Sequence, residues 1–80
     1  MRKPTIAAKA LEILETIEHE ARTAAEIRKR TGFDPHPVVK RDVVARGWAY
    51  QSPSRKDYEI TEIGRAALTL GRAERKGGLG

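Results

Sequence analysis

The stretch Asp34–Gly47, DPHPVVKRDVVARG, constrains this chain most, because it carries its own start, its own faces and its own stop. Asp34 is a residue type that caps the amides of a first helical turn. Pro35 follows at the first helical position, where its missing N–H costs no bond, and Pro37 still lies inside that turn. At about 100° per residue, Val39 and Val43 point one way, with His36 and Arg46 near them. Pro37, Lys40, Arg41 and Val44 point roughly the opposite way. Gly47 supplies the left-handed residue that ends a helix. The expectation is a short helix over 34–46, apolar on one side and basic on the other.

The remaining residues must frame that helix, and there are few of them. Eighty residues make one small domain, and such a chain buries only roughly 60% of the surface it exposes when unfolded. A deep substrate pocket does not fit that scale. The net charge of +5 is unevenly spread: residues 1–20 sum to −1, 21–47 to +4, 48–61 to zero and 62–80 to +2. A basic middle third favours a polyanionic partner. There is no cysteine, hence no disulfide and no thiolate metal site. No apolar run approaches the roughly 20 residues of a membrane helix, and no apolar signal segment follows Met1-Arg2-Lys3-Pro4. The expected location is the cytoplasm, with no membrane contact.

In chain order, Thr5 to about Glu20 is expected as a first helix, with Ile6, Ala10, Ile13, Leu14 and Ile17 as its apolar stripe. Glu12, Glu15, Glu18 and Glu20 lie mostly off the stripe and read as a solvated face. Thr23-Ala24-Ala25-Glu26 is a capping box that opens a second helix, stopped by Gly32. Ala25 and Ile27 are its apolar contacts. Arg28, Lys29 and Arg30 crowd its end, where they favour the helix dipole or meet phosphate. Only Phe33 separates Gly32 from Asp34, so the second and third helices turn sharply on each other. Trp48-Ala49-Tyr50 and Tyr58-Glu59-Ile60 read as two short strands around the polar turn QSPSRKD. By alternation Trp48 and Tyr50 share one face, as do Tyr58 and Ile60. Thr61 then caps a last helix, with Ile63, Ala67, Leu68 and Leu70 set to cover the core. From Gly71 the chain is polar and glycine-rich, and 71–80 is expected as a disordered tail.

This order of three helices, a hairpin and a helix resembles the winged helix-turn-helix family, in particular small regulators of the MarR, ArsR and PadR type. The likeness rests on Thr23-Ala24-Ala25-Glu26-Ile27, on Thr31-Gly32, and on Val43-Val44-Ala45-Arg46-Gly47-Trp48. Tyr58-Glu59-Ile60-Thr61-Glu62-Ile63-Gly64 looks like that family's Y-x-[LI]-T-x-x-G signature. The resemblance covers about residues 5–70. It implies a mainly α fold with a small β-hairpin: a three-helix core, a two-stranded wing and a C-terminal helix, in one domain over 1–70. It also implies sequence-specific binding of double-stranded DNA by a transcriptional regulator, with helix 34–46 in the major groove and wing tip 53–57 on the backbone. The DNA-facing residues it implies are His36, Pro37, Lys40, Arg41 and Val44 on the third helix, and Arg55 and Lys56 on the wing. Thr23, Arg28 and Lys29 complete the approach to phosphate. Arg41 is the candidate for a base edge, since a guanidinium bonds guanine bidentately. Lys40 is the candidate for phosphate. The implied core is Ile6, Leu11, Leu14, Ile17, Ile27, Val39, Val43, Trp48, Ile60 and Leu68. The long dimerisation helices of larger relatives are missing, so a homodimer would use the first or last helix or the tail.

Other readings stand beside this one. With His19 and His36 as the only histidines and no clustered Asp-His pattern, nothing points to a metal, a cofactor or an enzyme. The glycines close helices or lie in the tail, so no phosphate loop is present. The same basic face suits a winged helix used as a protein-interaction module. A nonspecific nucleic-acid-binding accessory is a further alternative.

Overall fold

A computed structural model of the chain describes residues 7–77, with side chains up to Arg75. It is mainly helical, with four helices and a small three-stranded antiparallel sheet. Helix α1 spans Ala8–Ile17 and buries Ala10, Leu11, Ile13, Leu14 and Ile17. Thr5 and Ile6, expected in this helix, lie outside the described residues. The helix stops at Ile17 rather than near Glu20, and its end is tied down. The Thr16 carbonyl accepts from Arg22 Nε at 2.9 Å, which satisfies one of the carbonyls a helix end leaves open.

Arg22 belongs to β1 (Arg22–Thr23), a strand absent from the sequence expectation. Helix α2 follows over Ala24–Thr31. Its capping box is formed: Glu26 N–H donates to Thr23 Oγ1 at 3.3 Å, and Thr23 N–H donates to Glu26 Oε1 at 2.9 Å. Gly32, at φ 85°, closes it with an N–H to the Arg28 carbonyl. Ile27 is buried as expected; Ala25 is exposed and Ala24 makes the packing contact instead.

Helix α3 is α-helical over His36–Val38 and π-helical over Val39–Val44. The helix runs from His36 to Val44 rather than over 34–46, and Pro35 is its cap residue rather than its first helical one. Asp34, one residue further out, holds the entry by accepting the His36 N–H at 3.1 Å, and Pro35 is fully buried. The wider i→i+5 turn puts Val38, Val39 and Val43 all on the core side. It runs out through Trp48 N–H to the Val43 carbonyl at 2.9 Å, with Gly47 at φ 78°.

Strands β2 (Ala49–Gln51) and β3 (Asp57–Ile60) pair antiparallel, with Ala49 opposite Ile60 and Tyr50 opposite Glu59. Strand β1 pairs with the other edge of β3, giving the order β1-β3-β2 where a two-stranded hairpin was expected. Tyr58 and Ile60 face the core together. Trp48 and Tyr50 do not share a face: Trp48 precedes the strand and is buried beside Ala49, and Tyr50 is 56% exposed.

Helix α4 spans Glu62–Gly77, so the expected tail is helical through Gly77. Arg72 explains part of that length: it bonds both oxygens of Glu18 on α1, at 3.0 and 2.6 Å, while its Nε and Arg75 reach Glu15. Leu68 and Gly64 face the core and Ala67 packs partly against it, whereas Ile63 (61%) and Leu70 (47%) are exposed rather than covering it. Of the ten core residues that the resemblance implied, all but Ile6, which lies outside the described residues, are buried, joined by Ala10, Ile13, Val38, Ala49 and Tyr58.

Candidate nucleic-acid interface

The capping box at the start of α2 and the short turn at its end set two helices against one another. Between them lies an open groove of about 540 Å³, lined by Ala24, Ala25, Arg28, Lys29, Gly32, Asp34, Pro35 and His36. Three candidate contact residues therefore meet in one place: Arg28 and Lys29 from α2, and His36 from the start of α3. All three are exposed. Asp34, not singled out as a contact residue from the sequence, stands in the same groove with its Oδ1 3.1 Å from His36 Nδ1. Its carboxyl is held below the usual range, first by the backbone N–H of His36 and then by the His36 ring.

The other candidates sit outside that groove. Pro37, Lys40, Arg41 and Val44 are exposed along α3, with Val44 at 39%. Arg41 Nε lies 3.8 Å from Asp42 Oδ2, a loose pair on a side chain that is mostly in solvent. Thr23 is half-buried, and its hydroxyl is engaged with Glu26 in the cap.

The hairpin tip is tightly made. Ser52 N–H donates to the Asp57 carbonyl and Lys56 N–H to the Ser52 carbonyl, at 2.9 and 2.8 Å. Lys56 adopts φ 61°, a left-handed conformation that favours glycine. Arg55 Nε donates to Asp57 Oδ2 at 3.3 Å, leaving the outer guanidinium nitrogens free. Asp57 Oδ1 is buried without a hydrogen-bond partner among the described residues.

Arg28, Lys29, Lys40 and Lys56 make no ion pair among the described residues. Two features escaped the sequence reading: exposed Tyr50 on the outer face of β2, and Arg46 stacked 5.4 Å over the Trp48 ring. Alternation hid the first. The short spacing of Arg46 to Trp48 was a usable signal for the second.

No family model, no curated protein and no solved structure matches the chain. Among the described residues no helix is long and apolar enough to cross a membrane, and no group of acidic or histidine side chains is arranged to hold a metal ion.

Proposed function

We propose that this protein binds double-stranded DNA as a small winged helix-turn-helix transcriptional regulator. Helix 34–46 enters the major groove, and wing tip 53–57 rests on the backbone. The observation that carries the reading is a division of charge. Arg72 and Arg75 are neutralised by Glu15 and Glu18, whereas Arg28, Lys29, Lys40 and Lys56 stand exposed and unpaired on α2, α3 and the hairpin. Unpaired surface cations on two adjoining helices and a hairpin tip suit a phosphate backbone. Arg41, one residue from Lys40 and only loosely paired, is the residue for a base edge.

An NMR titration with random-sequence duplex DNA tests this. Amide shifts concentrated in residues 36–46 and 54–57 support it; shifts scattered over α1 and α4 refute it. Neutralising Arg55 and Lys56 together should also flatten the salt dependence of binding by roughly two phosphate contacts.

A protein partner is favoured by one specific observation. Ile63, Ala66, Leu70 and Ala73 are exposed along one side of α4, opposite the side that buries Gly64 and Leu68. A homodimer through the last helix would cover them; α1 has no such spare stripe, since its apolar residues are already in the core. Sedimentation of the free chain separates the two roles.

A further inference from the structure

His36 is held in one orientation. Asp34 Oδ1 accepts the His36 backbone N–H at 3.1 Å and lies 3.1 Å from Nδ1 of the same residue. A carboxylate only accepts, so the proton of a neutral imidazole belongs on Nδ1 and Nε2 is left bare. A bare Nε2 has nothing to offer a phosphate oxygen. A second proton changes that, turning Nε2 into a donor and adding a positive charge beside Arg28 and Lys29 in the same groove.

Asp34 lies against Nδ1 from the same turn. Arg28 and Lys29 of α2 line the same groove, Lys40 stands four residues along α3, and Lys9 of α1 lies 5.3 Å from the Phe33 ring. An arriving phosphate favours the second proton, because it is an anion seated among these cations and an acceptor for Nε2–H. Building on the DNA reading above, we infer that His36 takes up a proton when the groove receives a backbone phosphate, so that DNA binding by this face is proton-linked. The imidazolium then lies between two anions, Asp34 on Nδ1 and the phosphate on Nε2.

The test is affinity for random-sequence duplex DNA at fixed salt from about pH 5.5 to 8, where histidine is the side chain that ordinarily titrates. Binding by the parent should weaken with rising pH, by about threefold to tenfold across the window. His36→Gln keeps a neutral polar side chain at an exposed position and should bind at the parent's high-pH strength with a flat profile. His19→Gln, at the far end of α1, should keep the parent's slope. Calorimetry in two buffers of different ionisation enthalpy should register proton uptake for the parent and none for His36→Gln. Binding that is equally strong at every pH, or a His36→Gln slope equal to the parent's, overturns the inference and leaves the DNA reading standing. Absence of binding at every pH overturns both.

Discussion

Gly64 offers the most exacting test of how the last helix is seated. A Cβ added there would stand 2.0 Å from the Trp48 carbonyl oxygen, and 2.9 Å from both the Trp48 carbonyl carbon and Ile60 Cγ1. Two of those three atoms are backbone and cannot rotate aside. Helix α4 would have to retreat by more than about 1 Å to restore ordinary contact. That retreat strains two bonds which dock its first turn: Thr61 N–H to the Trp48 carbonyl at 3.0 Å, and the Thr61 hydroxyl to the Gly47 carbonyl at 2.5 Å. Overpacking costs about 1–3 kcal/mol and each weakened bond about 0.5–1.5 kcal/mol. Against this, alanine gains about 1 kcal/mol of helix propensity over glycine. The net expectation for Gly64→Ala is a loss of about 1–5 kcal/mol, hence a fall in Tm of at least about 4 °C. Exposed Ala66 on the same helix calibrates the scale: Ala66→Gly should lose only about 1 kcal/mol. Urea and thermal unfolding followed by circular dichroism measure both. A Gly64→Ala variant as stable as the parent, or more stable, would refute the close approach of α4 to residue 48.

Three further outcomes follow from the same geometry. Thr23→Ala should lose about 1 kcal/mol of stability in urea unfolding while Thr23→Ser stays near neutral, because a hydroxyl oxygen makes the cap; equal losses would show that something else holds the site. Arg72 hydrogen-bonds Glu18 and holds its carboxyl below the ordinary value. The folded pKa thus lies below the unfolded one, so this contribution is present above the unfolded value and disappears as pH falls through the folded value. Arg72→Ala should therefore flatten the acid limb of the stability profile below about pH 4.5, and an unchanged limb would exclude the pair as its source. On the proposed DNA reading, Arg41→Ala should lose about 1–3 kcal/mol on a selected site and far less on random duplex, whereas Lys40→Ala should weaken both alike; equal effects would mark a shape-reading or nonspecific binder.

The helix starts were legible because they are chemical. Thr23 with Glu26, Asp34, and Thr61 each hold a helix start through side-chain atoms that the sequence names directly. What misled was hydrophobicity taken as a stand-in for contact. On α4 the close contact is made at Gly64, where absence of a side chain is the packing feature, so Ile63 and Leu70 were assigned to a core they do not reach. Polarity misled in the opposite sense beyond Gly71. Arg72 and Arg75 look like a solvated tail, yet their partners on α1 lie 54 to 60 residues away in sequence. Strand β1 is two residues long and held by pairing with Asp57 and Tyr58, which no local pattern could announce. In α3 the 3.6-residue period identified Val39 and Val43 but not Val38. Val38 and Val43 are five apart, and the π turn lets both face inward.

The same distinction between a residue and its partners governs the candidate interface. The sequence located the basic third of the chain and named the exposed side chains on α3 and the hairpin. A charge count treats all those cations as equal, and the structure does not. His36, Arg41 and Arg55 each have an aspartate within two residues, at 3.1, 3.8 and 3.3 Å. Arg28, Lys29, Lys40 and Lys56 make no ion pair among the described residues. For an unpaired cation, contact with phosphate replaces water and small anions, and its full charge enters the salt dependence. On the proposed DNA reading, Arg41 must surrender its aspartate to reach a base edge, which favours a geometry only the correct site rewards. That argues for a division of labour: Arg28, Lys29, Lys40 and Lys56, with His36 and Arg55 beside them, set how strongly the face is drawn to any polyanion, and Arg41 sets which one it keeps.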